Sequence, residues 1–190
     1  MEGVKIGYAL TGSFCTFEKT LFQMKKLIEN GFEIIPIMSF NAYNLDTRFG
    51  KAKYFRDEIE KICGREIIST ITAAEPIGPK RLTDVMLVLP CTGNTLAKLA
   101  GGIYDTPVTL AVKSHLRNQR PVVIGVSSND SLSCTAKSIG MLLNNKHYYF
   151  VPMKQDDPEK KPFSVVCDFT LAEASIEAAL YGKQLQPILI

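Results

Sequence analysis

Apolar runs of strand length recur along the chain and are separated by segments with helical spacing. Two of the runs, residues 85–89 and 122–126, contain no polar side chain. Because the side chains of a strand alternate between its two faces, an unbroken apolar run indicates a strand buried on both faces, as in a parallel sheet covered by helices. Residues 4–10, 32–38 and 148–153 are predicted to form further strands, with a short one at 66–69.

Apolar residues at intervals of three and four predict helices between these strands. The first helix begins at Phe17 and is closed by Asn30 and Gly31, which tolerate a left-handed cap. Its position between two strands makes a βαβ unit, for which a right-handed crossover and a parallel strand pair are expected. The sequence therefore predicts a doubly wound three-layer α/β sandwich, flavodoxin-like or Rossmann-like, with a mostly parallel sheet of five or six strands. Further helices are predicted at residues 51–63, 96–100, 107–117, 135–143 and 171–181.

The chain is predicted to be a single domain over residues 1–190, because it contains no linker, internal repeat or low-complexity segment. Charged and amide side chains crowd residues 154–161. We therefore expect a mobile surface loop over 154–164, ending in a short edge strand at 165–167. Residues 183–190 are expected to form a C-terminal tail.

Composition narrows the class of protein. A hydrophobic content of 46% and a charged content of 22% are typical of a soluble globular chain. The net charge of +3 is not gathered into a basic tract, so a nucleic-acid partner is not indicated. Five widely spaced cysteines without a C-x-x-C pair favour a reducing compartment over a disulfide framework or a structural zinc site. The N-terminus lacks an export signal and no apolar run approaches the ~20 residues of a membrane span, so we expect a cytoplasmic protein without a membrane partner.

Polar residues follow four of the predicted strands at the point where each strand ends. The carboxyl ends of parallel strands meet at one edge of a sheet, and open α/β sheets bind their ligands there. The turns are rich in hydroxyl, amide and glycine residues and almost free of acids, so no metal site is predicted. The predicted ligand-binding residues are Thr11, Gly12, Ser13, Ser39, Thr92, Gly93, Asn94, Thr95, Ser127, Ser128 and Asn129.

These residue types suit a phosphorylated flavin. Gly12 lets the backbone approach an anion closely, and the N–H groups at a helix start carry partial positive charge. The turn lacks the G-x-G-x-x-G of a dinucleotide site and the G-K-[ST] of a nucleoside triphosphate site, which favours a single terminal phosphate. Hydroxyls and amides also bond a polyol chain and ring carbonyls, as FMN requires, and the redox chemistry then belongs to the cofactor. The alternative interpretation of each turn is an ordinary helix cap or strand-to-helix turn.

Two other residues carry candidate chemistry. Cys91 lies in the turn after the central strand, but no neighbouring cation would activate its thiol, so we expect a small buried residue rather than a nucleophile. His115 stands beside Lys113 and Arg117 on a predicted helix, and we expect it at the surface rather than in a general acid or base role.

The polar turns carry a resemblance to a known family. Thr11-Gly12-Ser13, the segment from Pro90 to Lys98, and Ser127-Ser128-Asn129 resemble the motifs of the flavoprotein family. That family includes the flavin-dependent cysteine decarboxylases and the flavin prenyltransferases, and its Pro-x-Ser-x-Asn-Thr-like turn is matched from Pro90 to Thr95. The resemblance implies bound FMN at subunit contacts and a homo-oligomer, either a trimer or a dodecamer.

A narrower resemblance covers nearly the whole chain. It is to the B subunits of dipicolinate synthases, which act in sporulating bacteria with a nucleotide-binding A subunit to oxidise dihydrodipicolinate to dipicolinate. The resemblance implies an oxidoreductase subunit that holds FMN or the small-molecule substrate, while the A subunit supplies NADP(H). The segments that carry it are residues 111–117, 128–130, 148–157 and 183–187.

A dicarboxylate substrate needs cations to bind it. Lys113 and Arg117 are predicted for this role, together with Lys154 and Lys161, and arginine is best suited to a bidentate carboxylate contact. The residue types do not identify a catalytic group.

Two other functions stay open at this point. The decarboxylases of the family carry a catalytic histidine after the second strand, whereas residues 39–64 contain none. The first alternative is therefore a non-catalytic assembly subunit that activates its partner. The second is an independent FMN-dependent decarboxylase.

Overall fold

The structure, a computed structural model, describes residues 3–190 and contains one seven-stranded sheet between layers of helices. The strands are β1 (Lys5–Leu10), β2 (Glu33–Met38), β3 (Val85–Cys91), β4 (Val122–Ser128), β5 (Tyr148–Phe150), β6 (Met153–Asp157) and β7 (Lys161–Cys167). The helices are α1 (Phe17–Glu29), α2 (Phe40–Asn44), α3 (Ala52–Cys63), α4 (Ile71–Ala74), α5 (Gly93–Ala100), α6 (Pro107–Leu116), α7 (Ala136–Asn144) and α8 (Ala172–Leu180). Short 3-10 turns lie at Phe14–Thr16, Glu75–Ile77 and Phe169–Leu171.

Five strands run parallel in the order β2-β1-β3-β4-β5. The chain goes outward from β1 to β2 and then returns to place β3 on the other side of β1. This order is that of a doubly wound, flavodoxin-like sheet, with its topological switch point between β1 and β3. The predicted fold class and the mostly parallel sheet are confirmed.

The central strands are buried on both faces, as their unbroken apolar runs predict. Residues 85–89 of β3 and 122–124 of β4 have no solvent exposure. Helices α1 and α8 cover one face of the sheet, while α5, α6 and α7 cover the other. No helix within residues 3–190 combines the length and the apolar character needed to cross a bilayer.

The segment predicted as a surface loop over 154–164 is a β-hairpin. Strands β6 and β7 pair antiparallel, and β7 also pairs with the end of β4 through Ser127 and Ser128. These two antiparallel strands raise the sheet beyond the predicted five or six. The strand predicted at 165–167 is the end of β7, although β7 lies between β4 and β6 rather than at the edge. The sequence does not predict β6, because the middle of this strand is exposed and its polar side chains show no apolar alternation.

Other boundaries shift by small amounts. The strand predicted at 148–153 is divided between β5 and the start of β6, because the backbone changes partner after Phe150. In place of the short strand predicted at 66–69, the structure has a single bridge between Ile37 and Ile68. Helix α5 begins at Gly93, earlier than predicted, so the polar turn after β3 includes the first helical turn.

Candidate functional site

The turns after β1 and β3 are hydrogen-bonded to each other at the switch point. The buried Thr11 hydroxyl donates to the carbonyl oxygen of Pro90 over 2.8 Å and accepts from the backbone N–H of Thr92 over 2.9 Å. Two turns that are distant in the sequence are thereby fixed side by side. The crevice outside the carboxyl ends of the strands opens here.

The turn after β4 joins the same edge. The Ser13 and Ser127 hydroxyl oxygens are 2.8 Å apart and hydrogen-bonded. Both side chains line a cavity of about 880 Å³. The turns after β1, β3 and β4 therefore converge on one place, as expected for parallel strands.

Two cavities share this edge. The larger, about 880 Å³, lies between the turns after β1 and β4, and the smaller, about 340 Å³, lies between the turns after β1 and β2. Gly12, Phe14, Thr92 and Asn94 line both of them, so the two form one continuous crevice. All eleven residues predicted to bind a ligand line one or both cavities, and Ser39 lines the smaller one while it caps α2.

Helix α5 directs its N-terminus at the crevice. Thr92 is its cap and accepts a hydrogen bond from the N–H of Thr95 over 3.4 Å. The first turn of a helix leaves N–H groups without intrahelical acceptors and carries partial positive charge. The cap interpretation and the ligand interpretation of this turn are therefore compatible, because Thr92 caps α5 and also lines the crevice.

The turns after β3 and β4 meet at Gly93. A Cβ atom there would lie 2.6 Å from a carboxylate oxygen of Asp130 and from the Thr135 hydroxyl, and 2.8 Å from the Ser128 hydroxyl. The Asp130 carboxylate accepts a hydrogen bond from Ser128, which holds the pKa of Asp130 below its ordinary value. Asp130 is therefore a charged acceptor that orients Ser128 and the turn after β4.

The structure does not bring Lys113 and Arg117 to this crevice. Helix α6 starts beside the smaller cavity at Thr106 and then runs back toward the amino ends of the strands. Lys113 lies near its far end, with the ammonium nitrogen 5.1 Å from the centre of the Tyr104 ring, and Arg117 directly follows the helix. The sequence places both residues on a helix but does not reveal how far along that helix the ligand edge lies.

Other cations line the crevice instead. Lys19 on α1, Arg48 in the connection after α2, and Lys161 at the start of β7 line the larger cavity, while Lys98 lines the smaller one. Lys161 is among the four cations that the sequence suggests, whereas Lys19 and Arg48 were missed. A signal for both existed, since each belongs to a segment that directly follows a strand predicted to end at this edge.

His115 is buried, so its predicted surface position is wrong. Its Nε2 atom lies 3.0 Å from the carbonyl oxygen of Pro121, and its Nδ1 atom lies 2.8 Å from the Thr83 hydroxyl. Burial lowers its pKa to about 4. The ring is therefore neutral, donates from Nε2, accepts at Nδ1 and ties together the segments that lead into β3 and β4, at the edge opposite the crevice.

Cys91 is fully buried at the end of β3, as expected. Burial raises the pKa of its thiol well above the ordinary value. A thiol in that state is a poor nucleophile. Within residues 3–190, no group of three or more histidine, cysteine or acidic side chains is placed to hold a metal ion.

A doubly wound sheet with a hydroxyl-lined crevice at its switch point defines a flavodoxin-like α/β protein with a candidate ligand site. The chain belongs to the Flavoprotein family, which its residues 1–178 match. Its sequence is 43% identical over 190 residues to the B subunit of dipicolinate synthase from Bacillus subtilis (strain 168), covering 100% of this chain and 95% of that protein.

Solved structures agree with this relationship. The crystal structure of the dipicolinate synthase B subunit from Bacillus halodurans superposes with a TM-score of 0.91 at 40% identity, covering 100% of this chain and 97% of that one. An FMN-dependent cysteine decarboxylase, SpaF, superposes with a TM-score of 0.70 at 22% identity, covering 94% and 95% of the two chains. The second match shows a shared fold.

Proposed function

We propose that this chain is the flavin-binding B subunit of a dipicolinate synthase. It acts with an NADP-binding A subunit to oxidise dihydrodipicolinate to dipicolinate during sporulation in the cytoplasm. The observation that carries the proposal is the 43% identity with a dipicolinate synthase B subunit along the full length of the chain.

The donor set of the crevice fits FMN. The smaller cavity is lined by the hydroxyl residues Thr11, Ser39 and Thr95 and by Lys98, whose ammonium group pairs with Asp105, and this donor set suits a phosphate. The larger cavity combines the Asn94 amide with aromatic and aliphatic side chains, and its size lies in the range of small-molecule sites. Bound there, FMN would supply a ring that accepts and releases hydride.

In the proposed reaction, this chain orients the reactants and contributes little acid-base catalysis. Oxidation of the dihydropyridine ring transfers a hydride to NADP⁺ and releases a proton, and the product ring is aromatic. The carboxylates at the larger cavity are Asp130, whose lowered pKa makes it a weak base, and Asp156, which is 2.6 Å from the Lys161 ammonium group. The residues of the crevice are therefore proposed to hold and align the reacting ring against its acceptor.

A homo-oligomer, a trimer or a dodecamer, is proposed as the form in which the chain binds FMN. Phe40 and Phe49 flank the two cavities with 41% and 44% of their surface exposed. A neighbouring copy seated there would bury apolar surface and close the crevice.

Reconstitution with the A subunit tests the proposal. Dipicolinate formation from dihydrodipicolinate and NADP⁺ is expected with both subunits and not with the A subunit alone. Asn94→Ala removes an amide that lines both cavities and is expected to lower the rate by about tenfold or more. Asn144→Ala, at the exposed end of α7, is the matched control and should leave the rate unchanged. An A subunit that is equally active alone would contradict the proposal.

A non-catalytic assembly role is the second candidate. It is favoured by the absence of histidine from the described residues that line the two cavities, since the chain has two histidines and neither is among them. Full activation of the A subunit by the Asn94→Ala chain would support this role. Release of carbon dioxide from a peptide with a cysteine terminus would instead support a decarboxylase.

A further inference from the structure

Two cations on the rim of the larger cavity, Lys19 and Arg48, form no close ion pair with the described acids. Lys161 forms an ion pair with Asp156, but Lys19 and Arg48 form no ion pair with any acid of residues 3–190. The Asp130 carboxylate already accepts a hydrogen bond from Ser128 within the turn after β4. Within residues 3–190, the positive charge that is not held in an ion pair therefore lies on the side of the cavity formed by α1 and the connection from α2 to α3.

Arg48 is held by a tight turn that the local sequence builds. The backbone N–H of Thr47 donates to the Gly50 carbonyl over 3.0 Å, and the Gly50 N–H donates back to Thr47 over 3.1 Å, leaving Arg48 and Phe49 at the tip. Gly50 has φ +145°, and a Cβ there would lie 2.7 Å from the Phe55 ring. The turn is therefore a defined structure against the core, and it directs its two central residues to the cavity rim.

The two residues at the tip provide complementary surfaces. The Arg48 guanidinium carbon lies 4.9 Å from the centre of the Phe49 ring, and both side chains line the larger cavity. A guanidinium group binds a carboxylate through two parallel hydrogen bonds, and an aromatic ring offers a flat apolar face. Lys19 adds a second positive charge from the first turn of α1.

We infer that Arg48 and Lys19 bind the two carboxylates of a planar heterocyclic dicarboxylate, with Phe49 beside its ring. This inference rests on the proposed function and assigns the substrate end of the crevice to the turn at residues 47–50. The carboxylate-binding role predicted for Lys113 and Arg117 is thereby assigned to cations that the fold brings to the cavity. The flavin phosphate would use the same kind of contact, so a test must separate the two anions.

Calorimetric titration of the full chain loaded with FMN distinguishes binding of the substrate carboxylates from binding of the flavin phosphate. Dipicolinate, which carries two carboxylates, is expected to bind about tenfold or more tightly than picolinate, which carries one. Arg48→Gln is expected to weaken dipicolinate binding by roughly 10- to 100-fold and to remove the preference over picolinate. Lys19→Gln should act in the same direction, and Arg48→Lys should restore part of the affinity. Arg117→Gln, an arginine outside the cavities, is the matched control and should bind like the parent.

Three results would overturn the inference. The first is dipicolinate binding that is unchanged by both Arg48→Gln and Lys19→Gln. The second is loss of FMN affinity in these variants with dipicolinate affinity intact, which would assign the cations to the cofactor phosphate. The third is no dipicolinate binding by the parent chain. Reconstitution with the A subunit reports on the proposed function separately, so a failure of one is distinguishable from a failure of the other.

Discussion

Gly93 is the residue at which the turns after β3 and β4 approach most closely, and no side chain fits there. We expect Gly93→Ala to push the Ser128 and Asp130 side chains apart, because the new Cβ would lie within 2.8 Å of oxygen atoms on both. The predicted result is a loss of about 1–3 kcal/mol in the free energy of unfolding. FMN affinity should fall about tenfold or more, measured by flavin fluorescence.

Gly140 provides the control for this substitution. It lies in the exposed part of α7, and a Cβ there would meet no atom within 4 Å. Gly140→Ala is therefore expected to stabilise the chain by about 0.5–1 kcal/mol through helix propensity, with unchanged flavin affinity. Equal flavin affinity in both variants would show that the close approach at Gly93 does not shape the site.

His115 makes stability depend on pH. Its pKa is lowered to about 4 in the folded chain, below its ordinary value of 6.5, so the unfolded state binds the proton more readily. The stabilisation is present above the unfolded pKa and is lost as the pH falls toward the folded pKa. Between about pH 7.5 and pH 5 the free energy of unfolding should decrease by about 2 kcal/mol from this residue.

Denaturant unfolding of the parent and of His115→Gln at both pH values measures this contribution. Glutamine keeps a donor and an acceptor for Pro121 and Thr83 but does not titrate. The pH-dependent loss should therefore be smaller in the variant. The same loss in both proteins would remove His115 as its source.

Residue types predicted the turns that line the crevice but, apart from Lys161, not the cations there. Hydroxyl, amide and glycine residues at strand ends were sufficient for Thr11, Asn94 and Ser127, because the position after a parallel strand already fixes the edge of the sheet. Lys113 was misplaced, since a helix spans the full depth of the sheet and its sequence does not mark which end faces the ligand. His115 was misplaced because its two partners, from distant segments, allow a polar ring to be buried.

Among the elements, the β6–β7 hairpin differs most from its sequence prediction. Strand β7 lies between β4 and β6, and its Ser164 hydroxyl donates to the carbonyl oxygen of Ser128 over 3.3 Å. Amide hydrogen exchange should therefore be slow at Val165 and Val166 and fast over the turn at 158–160, because Val165 and Val166 pair with both β4 and β6. Exchange at the rate of an unfolded chain over the whole segment would restore the predicted mobile loop.

The parallel strands were predictable for a physical reason that the hairpin lacks. Strands β1 to β4 are covered by helices on both faces. Because successive side chains on both faces are buried, each of these strands has an apolar run in the sequence. Strand β6 and the start of β7 are exposed, and their pairing comes from backbone hydrogen bonds that leave no mark on side-chain polarity, whereas the buried end of β7 is predicted at 165–167. Lys154 and Gln155 are exposed strand residues whose types suit a loop equally well.

At the scale of the whole molecule, the topology makes one site from distant segments. The switch point between β1 and β3 opens a crevice, the parallel register brings the turn after β4 to the same edge, and the hairpin walls the far side with Lys161 and Ser164. The crevice at the switch point and the position of the turn after β4 follow from the fold class and could be predicted. The wall formed by the hairpin depends on the antiparallel extension of the sheet, so the depth of the larger cavity could not be predicted.

The most direct test of this site is a fluorescence titration of the full chain with FMN and with riboflavin, which differ only in the phosphate. Hydroxyls, a helix N-terminus and a lysine gathered at the smaller cavity predict that FMN binds about tenfold or more tightly than riboflavin. Asn94→Ala should weaken the binding of both flavins, since Asn94 lines both cavities. No binding of FMN, or equal affinity for the two flavins, would contradict a phosphorylated flavin at this edge of the sheet.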